Sequence, residues 1–220
     1  MKTQREQIIH TWMTSVLDSD QFEINFLPGD ASFRRYARIK LNNKTFMLMD
    51  APPEKEDCVP FVTIDQFFDS HGVRVPHIVA KDLEQGFLLL EDFGDVLLST
   101  LLNDATVDAY YAQSFKQLIE LQAIDGTENF PAYCYEKLIS EMELLTEWML
   151  PSLQIQPTQD EQALIKRSFA ILANAALAQP QVIVHRDFHS RNLMKIEGET
   201  DLGVIDFQDA VIGADTYDLI

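Results

Sequence analysis

Basic residues are scarce in this chain of 220: 17 lysines and arginines stand against 35 aspartates and glutamates, for a formal net charge of −18. A field of that sign repels nucleic acid and anionic membrane surfaces, so neither is expected as a partner. Cationic small molecules are tolerated or drawn in, and a nucleotide needs local cations or a metal to enter. The same charge is also what solubility alone would select. Cysteine is nearly missing. Cys58 and Cys134 lie far apart, with no metal-ligand spacing, which argues against a thiolate metal site and for two buried, reduced thiols in a cytoplasmic protein. No apolar run is long enough to span a bilayer. The N-terminus, with Arg5 and Glu6 in its first turns, lacks the apolar stretch of a signal peptide. Internal repeats and low-complexity tracts are absent too.

What is present suffices for a sizeable core, since 46% of the residues are hydrophobic. Thr3 and Glu6 form a capping-box pattern ahead of Ile8, Ile9, Trp12, Met13, Val16 and Leu17, which recur at helical spacing. Strands are predicted over Phe22–Leu27, Tyr36–Leu41 and Thr45–Met49, with a turn at Pro28–Ser32 and a tight hairpin at Asn42-Asn43. A short helix over Pro60–His71 follows, then strands over Val75–Ala80 and Gly86–Leu90. After Glu91 the pattern turns helical, over Thr106–Ile124, Tyr135–Leu150 and Thr158–Ala178. Val182–Val184 reads as a buried strand, and Leu193–Ile196 with Gly203–Ile205 as a hairpin around Glu197-Gly198-Glu199. The fold class is therefore α+β: an antiparallel sheet lobe over residues 1–91 and a helical lobe over 92–220.

The stretch richest in chemistry is His185-Arg186-Asp187. Four residues separate it from Asn192, and Asp206-Phe207 follow. This is the spacing of the catalytic loop and metal motif of a phosphoryl-transfer enzyme. Such a reaction asks a protein for positioning and for neutralisation of charge. Asp187 is placed to accept the proton of an attacking hydroxyl. Asn192 and Asp206 offer the oxygens that magnesium prefers. His185 reads as an architectural member of the loop. Arg191 either lends charge to the transferring phosphate or pairs with a structural carboxylate.

Two weaker signals concern the nucleotide. The turn at Gly29–Phe33 lies between the first two strands, where backbone amides of Ser32 and Phe33 cradle a phosphate or form a plain hairpin. Arg34 and Arg35 beside it favour the phosphate. Leu88-Leu89-Leu90-Glu91-Asp92 reads as a connector, apolar and then polar, against which adenine can lie at Glu91 and Asp92.

His185 to Asn192, together with Val204-Ile205-Asp206-Phe207-Gln208, resembles the aminoglycoside phosphotransferase and choline kinase superfamily, relatives of the protein kinases. The resemblance implies a two-lobed protein-kinase-like fold, ATP as phosphoryl donor and Mg2+ as cofactor. Four stretches, Gly29–Tyr36, Met49–Glu54, Leu83–Asp92 and the catalytic loop, are similar to the bacterial cell-wall sugar kinases. By that likeness the acceptor is a small-molecule sugar, the anomeric hydroxyl of N-acetylmuramate or N-acetylglucosamine, in peptidoglycan recycling. An aminoglycoside or choline-like acceptor, or a nucleotide-binding pseudokinase, are the alternatives. Asp215, Tyr217 and Asp218 look like the superfamily's acidic segment, with a structural role implied, or for Asp218 an approach to the substrate.

Two departures from the pattern stand out. The strand Thr45–Asp50 holds no lysine, and the helix Pro60–His71 no glutamate, so the lysine–glutamate pair of protein kinases is missing. Either Arg34, Arg35 or Lys44 then steadies the phosphates, or nucleotide binding is weak. The chain also stops at Ile220, soon after the metal aspartate, where superfamily members continue into further helices; a truncated C-terminal lobe is the expectation.

Overall fold

The computed structural model describes residues 3–29 and 33–219. Contacts group the chain into two compact units, and neither is a single stretch: Met1–Tyr110 with Ser190–Gln208, and Tyr111–His189 with Asp209–Ile220.

The first unit is built on an antiparallel sheet in the order β1-β2-β3-β5-β4, formed by β1 (Glu23–Phe26), β2 (Arg35–Leu41), β3 (Lys44–Asp50), β4 (Ile78–Asp82) and β5 (Phe87–Glu91). Alternation along the strands gives the sheet two faces. On one, Ala37, Ile39, Leu48, Phe87 and Leu89 pack with Ile9 and Met13 of α1 (Gln4–Leu17) into a fully buried cluster. The expected capping box starts α1: the Glu6 N–H donates to the Thr3 hydroxyl at 3.3 Å, and the Thr3 N–H to the Glu6 carboxylate at 3.0 Å. On the other face, Tyr36, Arg38, Met47 and Leu90 line a cavity. Gly86 closes one end of the sheet. Its φ is +72°, and a Cβ there would lie 1.8 Å from the Ala51 carbonyl oxygen, so only glycine fits.

Asp50 ends β3 with no exposed surface. It is held from two sides. Arg5 of α1 donates from Nε to Oδ1 at 2.9 Å, and Arg35 from Nε to Oδ2 at 3.0 Å. Arg5 also bonds the Gln85 carbonyl at 2.6 Å and lies over the Phe87 ring.

α2 (Val59–Ser70) buries Phe61, Val62, Ile64 and Phe68, and also Asp65, whose Oδ2 has no partner among the described residues. Burial, reinforced by Asp69 and opposed by Lys81, pushes the Asp65 carboxyl from 3.8 up to about 7. The folded state thus binds an extra proton between about pH 4 and pH 7. Its stabilising effect is complete below the lower value and lost as pH rises through the upper one. Asp65→Asn is expected to remove this pH dependence and to raise stability at pH 8 by about 1–3 kcal/mol. Thermal midpoints at pH 5 and pH 8 check it; an equal fall in both proteins rules Asp65 out as the cause.

The hairpin of β7 (Leu193–Lys195) and β8 (Leu202–Val204) also belongs to the first unit. The Val204 N–H donates to the Arg74 carbonyl at 2.7 Å, and the Lys195 N–H to that of Val96 at 2.8 Å. Two expectations need correcting. β4 starts at Ile78 and not at Val75, because Pro76 has no N–H to give a ladder. β3 starts one residue earlier than read, at Lys44, so the strand does contain a lysine. That lysine falls on the face with Phe46 and Leu48, away from the cavity.

The second unit holds most of α3 (Val107–Gln122), then α4 (Tyr135–Leu144), α5 (Leu150–Ser152) and α6 (Gln159–Leu177). The helix expected over Tyr135–Leu150 is interrupted by a π turn at Leu145–Met149. Pro151 follows, and its ring crowds the carbonyl four residues back. β6 (Gln181–Val184) pairs with β9 (Val211–Ala214), a strand the sequence reading does not contain. Tyr133, Val184 and Val211 form its core. Cys58 is buried as expected, but Cys134 is exposed, because it stands ahead of α4 as its N-terminal cap. Among the described residues no helix is long and apolar enough to cross a membrane.

Candidate active site

The first unit encloses a cavity of about 420 Å³, within the range of small-ligand sites. Leu27, Gly29 and Arg34 line it from the first turn, Tyr36, Arg38 and Met47 from the sheet, and Leu90 to Asp95 from the connector. Asn192, Met194 and Asp206 line it from the β7–β8 hairpin.

Hairpin pairing is what brings the two expected metal residues together. Asn192 precedes β7 and Asp206 follows β8. Leu193 pairs with Val204, and the Ile205 N–H donates to the Asn192 carbonyl at 3.0 Å. The Asn192 side-chain amide then donates to Asp206 Oδ2 at 3.4 Å. Asp206 sits at φ +64°, a left-handed conformation that non-glycine residues seldom adopt. Phe207 anchors the turn: fully buried, its ring lies 4.9 Å from that of Phe61 and 5.9 Å from that of Phe68. The Gln208 amide donates to Asp206 Oδ1 at 2.9 Å. An amide oxygen and a carboxylate beside a cavity suit magnesium, a hard cation that takes few protein ligands. Among the described residues no cluster of three or more histidines, cysteines or carboxylates offers an alternative metal site.

The expected nucleotide-binding residues divide. Ser32 lies outside the described residues. Phe33 is exposed, with the Lys55 ammonium 5.1 Å from its ring centroid. Arg35 points to the α1 face and is committed to Asp50. Arg34 alone of the pair lines the cavity, in an ion pair of 2.7 Å with Glu56. Glu91 and Asp92 are both in the connector, but their carboxylates are taken. Arg74 pairs with Glu91 at 2.6 Å and holds its carboxyl below the ordinary range. Arg38 pairs with Asp92 at 2.6 Å and with Asp95 at 2.8 Å. Arg38, Arg74 and Glu56 were not singled out from the sequence. Alternation offers a signal for Arg38, which shares the strand face of Tyr36 opposite Ala37 and Ile39.

In the second unit β6 leads directly into His185-Arg186-Asp187. His185 is fully buried. Its Nδ1 accepts the Asp187 N–H at 3.3 Å, and its ring stands edge-on to Phe188 at 5.9 Å. Arg186 has φ +80°. Its guanidinium bonds Glu141 at 2.7 Å and lies over the Tyr133 ring. Buried Asp218 holds the turn by accepting the His185 N–H at 2.7 Å and the Arg186 N–H at 2.9 Å. Burial raises the Asp218 carboxyl against the pull of those two amides. The Asp187 side chain is left at the surface of this turn. Arg191, in the first unit, is exposed and makes no ion pair among the described residues.

The profile of the phosphotransferase enzyme family, abbreviated APH, matches residues 23–220. The chain belongs to this phosphotransferase family. Over 192 residues it is 42% identical to the N-acetylmuramate/N-acetylglucosamine kinase of Pseudomonas putida, covering 87% of this chain and 56% of that one. The kinase of the same name from Neisseria meningitidis is 34% identical over 223 residues, covering 99% and 66%. This phosphotransferase chain therefore spans somewhat over half the length of the relatives it matches. Among solved structures, ADP-bound aminoglycoside phosphotransferase APH(2'')-Ib superposes with a TM-score of 0.66 at 18% identity, covering 99% of this chain and 74% of that one. An ethanolamine kinase from Plasmodium vivax superposes with a TM-score of 0.62 at 15% identity, covering 96% and 63%. At such identities the likeness establishes the fold: a protein-kinase-like α+β fold, with an antiparallel sheet in its N-terminal part and most of its helices after it.

Proposed function

We propose that this phosphotransferase chain is the nucleotide-binding and catalytic part of a cytoplasmic ATP-dependent kinase that phosphorylates the anomeric hydroxyl of N-acetylmuramate or N-acetylglucosamine. In this reading residues 1–91 carry the nucleotide and residues 92–220 the catalytic work. The observation that carries it is the identity of 34–42% with two kinases of that name, over 87% and 99% of this chain. The sugar oxygen bonds to the γ-phosphorus as the bond to the departing ADP oxygen breaks, and the hydroxyl proton passes to the Asp187 carboxylate. Asn192 and Asp206 would hold Mg2+, which would neutralise charge on the phosphates. His185 and Asp218 keep the turn carrying Asp187 in shape. Arg191 is free to lend charge to the transferring group.

The test is a product assay with labelled ATP, magnesium and a panel of N-acetylmuramate, N-acetylglucosamine, an aminoglycoside and choline, using the full-length protein. A sugar 1-phosphate is the expected product. Transfer to the aminoglycoside or to choline alone would replace this reading with the second one, which the net charge of −18 favours. Nucleotide binding with no transfer to any acceptor would make the protein a pseudokinase.

A further inference from the structure

The cavity face of the third strand, where a protein kinase carries its phosphate-binding lysine, is occupied in this chain by methionine. Met47 lines the cavity, and Met49, two residues on and on the same face, is fully buried. Arg38 lines the cavity too, but Asp92 and Asp95 hold it, and the structure separates the three cations expected to replace the lysine. Lys44 opens β3 on the opposite face, is exposed, and pairs in register with Leu41 beside the hairpin turn. Arg35 also faces α1 and is held by Asp50. Arg34 lies between the first turn and β2, one residue out of phase with Arg35, and alternation turns it into the cavity.

Arg34 is built in. Its side chain is only 12% exposed, and its guanidinium meets the Glu56 carboxylate at 2.7 Å. Glu56 is itself positioned. A turn in which the Glu56 N–H donates to the Pro52 carbonyl at 3.0 Å sets its place. Asp57 next to it caps α2 by accepting the Val59 N–H at 2.8 Å. A cation on the sheet side of a nucleotide cavity, tethered by a carboxylate of the helix that follows, is the arrangement the lysine–glutamate pair provides in protein kinases. Here the cation comes from the entry to the second strand, and the carboxylate from just before the helix.

We infer that Arg34 binds the phosphates of the nucleotide and that Glu56 is its positioning residue, the two together replacing the kinase lysine–glutamate pair. The inference rests on the kinase reading above. Arginine suits the task, because its planar fork can give one N–H to Glu56 and others to phosphate oxygens at the same time. Glu56 acts only through Arg34.

Calorimetry with ADP and with adenosine, in magnesium buffer and with no acceptor present, tests this without requiring turnover. Arg34→Met is expected to weaken ADP binding at least about tenfold, the range of a charge-assisted pair, and to leave adenosine binding unchanged. Arg34→Lys should recover part of the loss. Glu56→Gln should weaken ADP a few-fold, and should add nothing in the Arg34→Met background. In turnover, Arg34→Met should raise KM for ATP more than Glu56→Gln does. ADP binding as tight in Arg34→Met as in the parent, or an equal loss of adenosine, overturns the assignment of Arg34 and leaves the kinase reading standing. An additive effect of Glu56→Gln on top of Arg34→Met overturns the role of Glu56. A parent protein that binds neither ADP nor adenosine takes down the kinase reading and this inference together.

Discussion

Asp187→Asn is expected to lower kcat about a thousand-fold, within the range of roughly 10²–10⁴ for a positioned proton acceptor, while ADP affinity stays within about twofold. Asparagine keeps the size and shape of the side chain and the backbone N–H that the His185 ring accepts. It removes only the capacity to take a proton. Because Arg34, Asn192 and Asp206, the groups proposed to hold the nucleotide and its metal, are untouched, the loss should fall on kcat and spare nucleotide binding. Steady-state kinetics together with ADP calorimetry check this. Turnover kept within tenfold of the parent would remove Asp187 as the base. Asp218→Asn offers a useful contrast. Asp218 serves the same turn through two backbone amides, so its replacement should cost stability as well as rate.

The second large effect concerns the fold. Replacing both Arg5 and Arg35 by methionine leaves the Asp50 carboxylate fully buried with neither of its cations. The expected loss is about 3–5 kcal/mol, the usual cost of an uncompensated buried charge. Methionine preserves most of the packing of Arg5 on Phe87, so the loss reports charge more than volume. Adding Asp50→Asn to the pair should restore roughly half of it, because a neutral amide is cheaper to bury than an anion. Thermal midpoints of the parent, the double and the triple variant settle the matter. A double variant as stable as the parent, or a triple variant less stable than the double, would show that Asp50 is not held as an ion.

Most of the first unit could be read in the chain because its rules are local. The Thr3–Glu6 box, the alternation of Ala37 and Ile39 with Tyr36 and Arg38, and the hairpin around Gly198 each span few residues, and each is present. What was not legible around the cavity shares one cause. Whether Lys44 or Arg34 faces the cavity depends on which face α1 covers, and that is decided by Ile9 and Met13 far away in sequence. Glu56 was invisible for the same reason. It lies outside any element, and only the turn at Pro52 and the cap at Asp57 give it a direction. β9 has just four residues and no partner within twenty-five positions, so its apolar run reads as loop until β6 is set beside it. The spacing from His185 to Asp206 was legible because chemistry constrains residue type there. The side chains that support it, Asp218, Glu141 and Phe61, answer to packing and leave no such pattern.

One consequence follows from the way the first unit is assembled from two stretches. Its sheet and connector are complete by Tyr110, but the hairpin carrying Asn192 and Asp206 reaches it only after everything from Tyr111 to His189 has been made. At about 5–20 residues per second on a ribosome, the wait is of the order of several seconds. During that time Phe61 and Phe68 have no Phe207 to cover them, and Arg74 has no Glu199. The nascent unit thus waits with the aromatic face of α2 uncovered until residue 207 arrives.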